Sequence, residues 1–331
     1  MRFRFRFSRA GALGLIVAYA LLAATGCVRS YALGAAADAL SASGKTFAAD
    51  DDPELIEAAT PFALKTMESV LEENPTHRGL LTALASGFAQ FGFAFVKEEA
   101  DRRQEDDFDR SAALRLRAQK LFVRAREYAI RGLEVDHPGF RAALSEDAAR
   151  AVAAMTIDDV PRLYWLAASM GLVVATGKDD PLIFADYTKV RPIAQRVLEL
   201  DEAWGQGVIH DLFISIESGF PDGSVERARA HFDRSIALSG GRRVGTYVSF
   251  AEGVSVKTQN LQEFNQMLDA ALAITVDDFL DERLANVIMR RRALWLKARV
   301  EDLFLDLSEQ EGTPSTMDAI GRSDVDPEGA E

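Results

Sequence analysis

The sequence predicts an all-α fold built from helical hairpins. After residue 30, Ala, Leu, Glu and Arg dominate, and runs of β-branched residues with a period of two are absent. Apolar residues instead recur three or four positions apart, in segments that end at Pro, Asn or Gly. Several of these segments end in a similar way, which indicates an internal repeat of helices.

The first two helices carry clear start and stop signals. In DDDPE (50–54), an acidic cap precedes Pro53, so we expect a helix from there to Glu73, kinked at Pro61 and stopped by Asn74. A second helix is predicted over 79–96. It places Phe88, Phe91 and Phe95 at positions i, i+3 and i+7, interleaved with Gly and Ala.

The later helices follow from charge and periodicity. Residues 97–110 are almost all charged, which indicates a solvated helix extension or loop, and a helix is expected over 112–133. The best amphipathic segment is 182–200, which contains Pro192, so we expect one helix kinked there. Residues 308–331 lose all periodicity, and we interpret them as a disordered acidic tail.

The helix ends form a degenerate repeat. Each has an apolar anchor before a polar turn, and the anchors are Leu71, Leu133, Leu198, Ile236 and Leu272. The last two intervals lie near the ~34 residues of a tetratricopeptide repeat (TPR), and the first two near double that length. A single hairpin cannot bury its own apolar face, so we expect one TPR-like solenoid domain over 27–307, with a continuous core.

The amino terminus has the layout of a secretory signal. Four arginines precede a short apolar run that is too short to span a membrane in the usual way, and this run ends in Ala-Thr-Gly-Cys27. This end resembles the bacterial lipobox, although Ala24 replaces the usual Leu. We therefore interpret 1–26 as a lipoprotein signal peptide and Cys27, the one cysteine in the chain, as the lipidated residue. By resemblance to lipoprotein sorting, Val28 favours the periplasmic side of the outer membrane.

The charge balance limits the classes of partner. The whole chain has a formal net charge of -13, and removal of the signal arginines would make it more acidic still. This argues against nucleic acid and against an anionic membrane surface as electrostatic partners.

Motifs for catalysis, metals or cofactors are absent from the sequence. There is no zinc-protease, nucleophile-elbow, phosphate-loop or dinucleotide motif, and the four histidines lie at no ligand spacing. His210 and Asp211 are adjacent and point in different directions on a helix. An unfamiliar hydrolase site would need carboxylates near Asp179, Asp180 and Asp186, but the first two are better explained as a helix cap. We expect no enzyme, no cofactor and no metal.

A run of three arginines, 290–292, lies in the last long helix. From the apolar residues around it, we expect Arg291 to point toward Val287 and Trp295 as one snorkelling arginine on a solvated basic face. An anion-binding role for this run is the alternative.

Aromatic residues are the candidates for a ligand cleft, because aromatic side chains with polar tips commonly line such clefts. The candidates are Phe88, Phe91, Phe95, Tyr164, Trp165 and Trp204. Packing in the core is the alternative for each of them, above all for the phenylalanines.

Four stretches, together with the lipobox, resemble the T-component (TatT) lipoproteins of tripartite ATP-independent periplasmic (TRAP) transporters. The first is DPELIEAATPFALKTMESVLEENPTHRGLLTALASGFAQFGFAFVKEEADR (52–102), and the second is DVPRLYWLAASMGLVVATGKDDP (159–181). The others are HFDRSIALSGGRRVGTYVSFAEGVSVKTQNLQEFNQMLDAALAIT (231–275) and RRRALWLKARVEDLF (290–304). The resemblance implies a TPR-like homotrimer that partners the substrate-binding P-component and encloses a pore or apolar cleft.

The expected function is therefore that of a periplasm-facing lipoprotein accessory to a TRAP-type system. We expect it to bind the P-component receptor and a small hydrophobic or amphipathic ligand. The alternative is a TPR-like structural lipoprotein that grips other proteins and has no small-molecule ligand.

Overall fold

A computed structural model describes residues 34–305. Within that range the chain is 80% helix and contains no strand, which confirms the all-α prediction. The signal peptide assigned to 1–26, Cys27 and the tail assigned to 308–331 lie outside the described residues.

Sixteen α-helices are labelled in chain order, after a further helical stretch over 34–42. They are α1 (Gly44–Ala48), α2 (Pro53–Glu73), α3 (Arg78–Phe91), α4 (Glu98–Arg103), α5 (Phe108–Asp136), α6 (Phe140–Glu146), α7 (Ala148–Val152), α8 (Val160–Thr176), α9 (Pro181–Ala185), α10 (Tyr187–Leu200), α11 (Val208–Gly219), α12 (Val225–Ser239), α13 (Val244–Phe250), α14 (Leu261–Ala273), α15 (Arg283–Lys297) and α16 (Val300–Leu303). Two π-helical segments cover Gly92–Lys97 and Ala251–Ser255, and three 3-10 turns cover Ile157–Asp159, Trp204–Gln206 and Val276–Asp278.

Helix α2 begins and ends where the sequence predicts. The Asp52 carboxylate accepts a hydrogen bond from the Leu55 amide at 2.9 Å, and Pro53 occupies the first turn. The helix continues through Pro61 and is capped by Asn74. The five repeat anchors all lie near the carboxyl ends of helices α2, α5, α10, α12 and α14.

Helix α3, the first π segment and α4 form one helical run from Arg78 to Arg103. Its apolar window has a mean hydropathy of 1.5, enough by length and composition for a membrane span, but half of it is buried inside the structure. The run packs against α5. A Cβ at Gly92 would lie 2.7 Å from the Phe122 ring, so only glycine permits this close approach. It is therefore a core helix of the fold.

The segment predicted as one helix over 182–200 is broken at a different position. Helix α9 ends at Ala185, and α10 starts at Tyr187 and contains Pro192 in its second turn. A proline ring inside a helix clashes with the carbonyl four residues earlier. A helix that starts anew at Tyr187 has only one turn before Pro192, so only that turn has to accommodate the clash. The interruption therefore falls at Asp186, whose carboxylate accepts a hydrogen bond from Lys189 at 2.8 Å.

Buried apolar side chains fall into three clusters, whereas the sequence led us to expect one continuous core. A large cluster extends from Ala37 to Phe220, and a second one from Val244 to Phe304. A small cluster of Ile214, Ala228, Phe250 and Val254 lies apart from both. Helix α12 gives a physical reason for this separation. Its buried residues are Ala228, Ser235 and Ser239. Polar groups therefore occupy space that large apolar side chains would otherwise fill.

The last long helix, α15, packs back on the first helices. Arg291 forms an ion pair with Glu54 of α2, and Arg283 lies 2.6 Å from Asp51. The buried arginine of the 290–292 run is Arg292, only 4% exposed, and not Arg291 as the apolar pattern indicated. Its guanidinium lies 3.4 Å from Glu98 and 3.1 Å from Asp101, and it also contacts Glu252. This carboxylate set decides which arginine faces inward.

Candidate functional site

Phe88 and Phe91 are core residues. The Phe88 ring stacks on Tyr128 with centroids 5.8 Å apart and planes at 11°. The Arg124 guanidinium lies 4.7 Å from the Phe88 centroid. Phe91 is also buried and lies 5.7 Å from Phe95. Both phenylalanines therefore lie in the core, which is the alternative to a position in a ligand cleft.

Phe95 differs from the two phenylalanines before it. It is half-buried and lies in the first π segment. It lines a cavity of about 450 Å³ between the amino ends of α2 and α5, the π segment and α15. Interruptions of this kind in α-helices are frequent at functional sites.

The structure brings Tyr164, Trp165 and Trp204 together as one aromatic cluster. The Tyr164 centroid lies 5.0 Å from that of Trp165, with planes at 80°, and 5.0 Å from that of Trp204, with planes at 51°. Tyr164 is buried, and both tryptophans are half-buried. The sequence nominated all three but did not relate Trp204 to the other two. Within the described range, no ring contact joins this cluster to Phe88, Phe91 or Phe95.

Trp204 is held by an unusual turn. It opens the 3-10 turn Trp204–Gln206, in which Gly205 and Gln206 have positive φ, and Gly207 follows with φ of 81°. The guanidinium of Arg243 donates hydrogen bonds to the carbonyls of Gly205 at 2.9 Å and Gln206 at 3.3 Å. The turn that positions Trp204 is thereby tied to the start of α13.

A buried polar network lies beside the aromatic cluster. The Asp211 carboxylate accepts hydrogen bonds from Ser235 at 2.6 Å and Thr246 at 2.8 Å, and it pairs with Arg243 at 3.0 Å. Burial raises the pKa of Asp211, against the opposing charge of Arg243. Burial also raises the pKa of the Tyr164 phenol. Sequence reasoning missed this network, because its members come from three separate segments.

His210 and Asp211 have different partners, as their adjacent positions on a helix led us to expect. The Nδ1 atoms of His210 and His231 lie 2.8 Å apart, and His210 Nε2 lies 3.2 Å from Glu202. The His231 ring stacks on Phe213 at 4.5 Å and 6°. Burial and the neighbouring His210 lower the pKa of His231 to about 4. These histidines form a structural pair in which one ring donates and the other accepts.

A second cavity, of about 520 Å³, contains a network of paired charges. Asp136 accepts hydrogen bonds from Arg78 and from Arg162, the latter at 2.7 Å. Asp159 accepts from Arg162 at 2.9 Å and lies 3.0 Å from His137 Nε2. Arg78, and then Arg162, hold the pKa of Asp136 well below its usual range. Because these charges already have partners, the network joins α3, α5 and α8 and is not free to recognise a ligand.

Within residues 34–305, no group of three His, Cys, Asp or Glu side chains has the arrangement of a metal site. The carboxylates considered for a hydrolase are also dispersed. Asp180 caps α9 through the Leu182 amide at 2.9 Å, and Asp186 pairs with Lys189.

The family model of the TRAP transporter T-component (TAtT) matches residues 49–304, which covers most of the described helices. This chain belongs to the TRAP transporter T-component family. The resemblance drawn from the sequence is thus confirmed. TRAP T-components are transport accessory components and not an enzyme family.

A relative of this T-component is an uncharacterized protein of Treponema pallidum (strain Nichols). The two are 29% identical over 272 residues, which are 79% of this chain and 83% of the relative. The similarity therefore covers more than three quarters of each chain.

Proposed function

We propose that this T-component binds the P-component, the soluble substrate receptor of its TRAP system, and a small hydrophobic or amphipathic ligand. The observation that carries the proposal is the family match over residues 49–304, which implies a TRAP transporter role. Its helices would act by presenting surfaces and a cleft, without bond-making chemistry.

The proposal includes anchoring at a membrane. Lipid on Cys27 would hold the helical domain on the periplasmic side of the outer membrane, each buried methylene contributing ~0.8 kcal/mol. The support is the lipobox-like end of the apolar run and the single cysteine of the sequence.

The proposal also includes TPR-like stacking of the hairpins and assembly as a homotrimer. Helix α3 packs on α5, α5 packs on α8, and α11 packs on α12, so successive helices bury their faces against one another. The trimer rests on the resemblance to the T-component family.

The ligand part rests on the aromatic residues. Tyr164, Trp165 and Trp204 form one cluster with two half-buried indoles, and Phe95 lines a cavity. Half-buried indoles beside a buried polar network suit a ligand that has both apolar and polar parts.

The experiment is a binding titration between the lipid-free chain, beginning after Cys27, and the P-component of the same genome. Saturable one-to-one binding per protomer would support the transport role. Native mass spectrometry of the same sample measures the oligomeric state and any retained small molecule. If every P-component of the genome fails to bind, the receptor proposal is wrong.

The second candidate is a structural lipoprotein scaffold with no small-molecule ligand. Burial of Phe88 and Phe91 in the core favours it, because these residues are not accessible to a ligand. A ligand-free species under gentle conditions, with receptor binding intact, would support a scaffold role within the transport system.

A further inference from the structure

Among residues 34–305, three arginines around the 450 Å³ cavity have no partner. Within the described part of the chain, the side chains of Arg102, Arg110 and Arg117 make no ion pair or hydrogen bond, and all three line this cavity. Most other arginines of the described range lie against a carboxylate, a backbone carbonyl or an aromatic ring. Three unpaired guanidiniums in one cavity therefore form a local excess of positive charge, although the chain as a whole has a net charge of -13.

The helix spacing directs two of these arginines to one wall. Arg110, Leu114 and Arg117 occupy positions i, i+4 and i+7 of α5, so they share a face of the helix. Arg102 belongs to α4, which packs against α5. Leu114 is buried, and both arginines of α5 are exposed, so their charged ends remain accessible.

Apolar side chains also line the cavity among the charged ones, and of these Ala94 and Phe95 are half-buried while the others are buried. The π segment contributes Ala94, Phe95 and Val96, and α15 contributes Ile288. Pro53, at the start of α2, completes this surface. Phe95 is thus a sequence-nominated residue that shares a cavity with Arg102, Arg110 and Arg117.

The carboxylates of the cavity do not neutralise the three arginines. Glu54 pairs with Arg291, and Glu99 pairs with Arg103 at 2.7 Å. Glu98 is buried beside Arg292. Glu57 is the lining carboxylate without an ion pair among the described residues. The unpaired charge of the cavity therefore remains positive.

We infer that this cavity binds an amphipathic anion, with a carboxylate or phosphate group against Arg102, Arg110 and Arg117 and an apolar chain along Ala94 and Phe95. Guanidinium groups recognise carboxylate and phosphate through charge-assisted, often bidentate hydrogen bonds. The volume lies within the ~300–1,000 Å³ range of small-molecule sites. This inference rests on the proposed function, since it names the ligand class of the same transport component.

The test uses calorimetric titration of the lipid-free chain with four probes: decanoate, decyl phosphate, inorganic phosphate and decanol. We expect saturable binding of decanoate and decyl phosphate, and much weaker binding of phosphate and decanol. The double variant Arg110→Gln/Arg117→Gln should weaken binding of the two amphiphiles about tenfold or more. Arg150→Gln is the matched control, because Arg150 is exposed, has no side-chain partner among the described residues and does not line the cavity.

Each other outcome would overturn the inference in a distinct way. Equal binding of decanol would mean that the arginines do not select an anion, and equal binding of inorganic phosphate would mean that the apolar wall does not contribute. Equal weakening by Arg150→Gln would indicate a general charge effect. Absence of binding by all four probes would remove the site.

Receptor binding is measured on the same variants to separate the two proposals. Binding of the amphiphiles without any P-component binding would leave this site standing and contradict the receptor role. P-component binding without any amphiphile binding would contradict this site alone.

Discussion

The ring of Tyr164 in α8 lies 5.0 Å from the ring of Trp204, which opens a turn two helices later in the chain. The contact depends on Arg243, which donates to the Gly205 carbonyl and pairs with Asp211. One buried guanidinium thus joins the aromatic cluster to the polar network between the two larger cores. Four predictions follow from this region and its surroundings.

Replacement of Arg243 should strongly destabilise the chain. Arg243→Met leaves the Asp211 carboxylate buried without its ion-pair partner, and it removes the donors to the Gly205 and Gln206 carbonyls. Loss of one member of a buried pair typically costs ~3–5 kcal/mol. Urea unfolding should show this loss, whereas Arg150→Gln should stay within ~0.5 kcal/mol. A small effect at Arg243 would mean that water replaces the guanidinium.

The turn at Trp204 should depend on glycine at position 207. Gly207 has φ of 81°, and a Cβ there would lie 2.6 Å from the Leu238 side chain. Gly207→Ala should cost ~2 kcal/mol or more, from left-handed backbone strain of ~1–2 kcal/mol and from the clash. Gly44→Ala is the matched control, because Gly44 lies in α1 with nothing within 4 Å of the added Cβ. Equal unfolding midpoints for the two variants would contradict the assignment of this turn.

Stability should fall as pH drops through the range in which unfolded histidine gains a proton. The pKa of His231 is about 4 in the folded chain, against ~6.5 when unfolded. The unfolded state therefore binds more protons, so the free energy of unfolding decreases from about pH 6.5 toward pH 4, by up to ~3 kcal/mol.

His231→Phe keeps an aromatic ring against Phe213 and removes the titration. Its free energy of unfolding, measured by urea titration at several pH values, should vary less between pH 7 and 4 than that of the unaltered chain. Identical slopes would show that another group carries the dependence, such as His210, whose pKa is also lowered by burial.

Truncation of Trp165 should weaken binding of an apolar ligand if the aromatic cluster is part of the cleft. We expect Trp165→Ala to reduce the affinity for the neutral fluorescent probe N-phenyl-1-naphthylamine roughly threefold to tenfold, because an aromatic pair contributes ~0.5–1.5 kcal/mol. Phe62→Ala is the control, since Phe62 is 78% exposed on α2 and outside the cluster. Unchanged affinity in Trp165→Ala would leave this cluster as packing only.

Local signals predicted much of the helical framework. Asp52 with Pro53 and Asp180 with Pro181 start helices at the expected positions, and the side-chain oxygens accept the expected amide bonds. These features lie within one turn of chain, so the bonding geometry of the helix alone fixes them. The signal peptide and the acidic tail remain predictions, because they lie outside the described residues.

The face of α15 shows where such signals fail. Its apolar residues indicated that Arg291 would turn inward, but Leu294 is 58% exposed, and Asn286 and Arg292 are buried. Asn286 accepts a hydrogen bond from the Val244 amide at 2.9 Å, and Arg292 meets carboxylates of α4. Because Asn286 and Arg292 have partners elsewhere in the chain, the buried face of α15 is not its most apolar face.

By itself, the sequence determined the all-helical class, the main helix starts and the family, because caps, periodicity and extended similarity are properties of neighbouring residues. Only the tertiary structure decided that Trp204 meets Tyr164, that Phe88 is buried while Phe95 lines a cavity, and that Arg102, Arg110 and Arg117 lie around that cavity with no partner in the described part of the chain. These relations depend on how helices cross and on which charges find partners. Crossing and pairing are set by packing between distant segments, which no local pattern encodes.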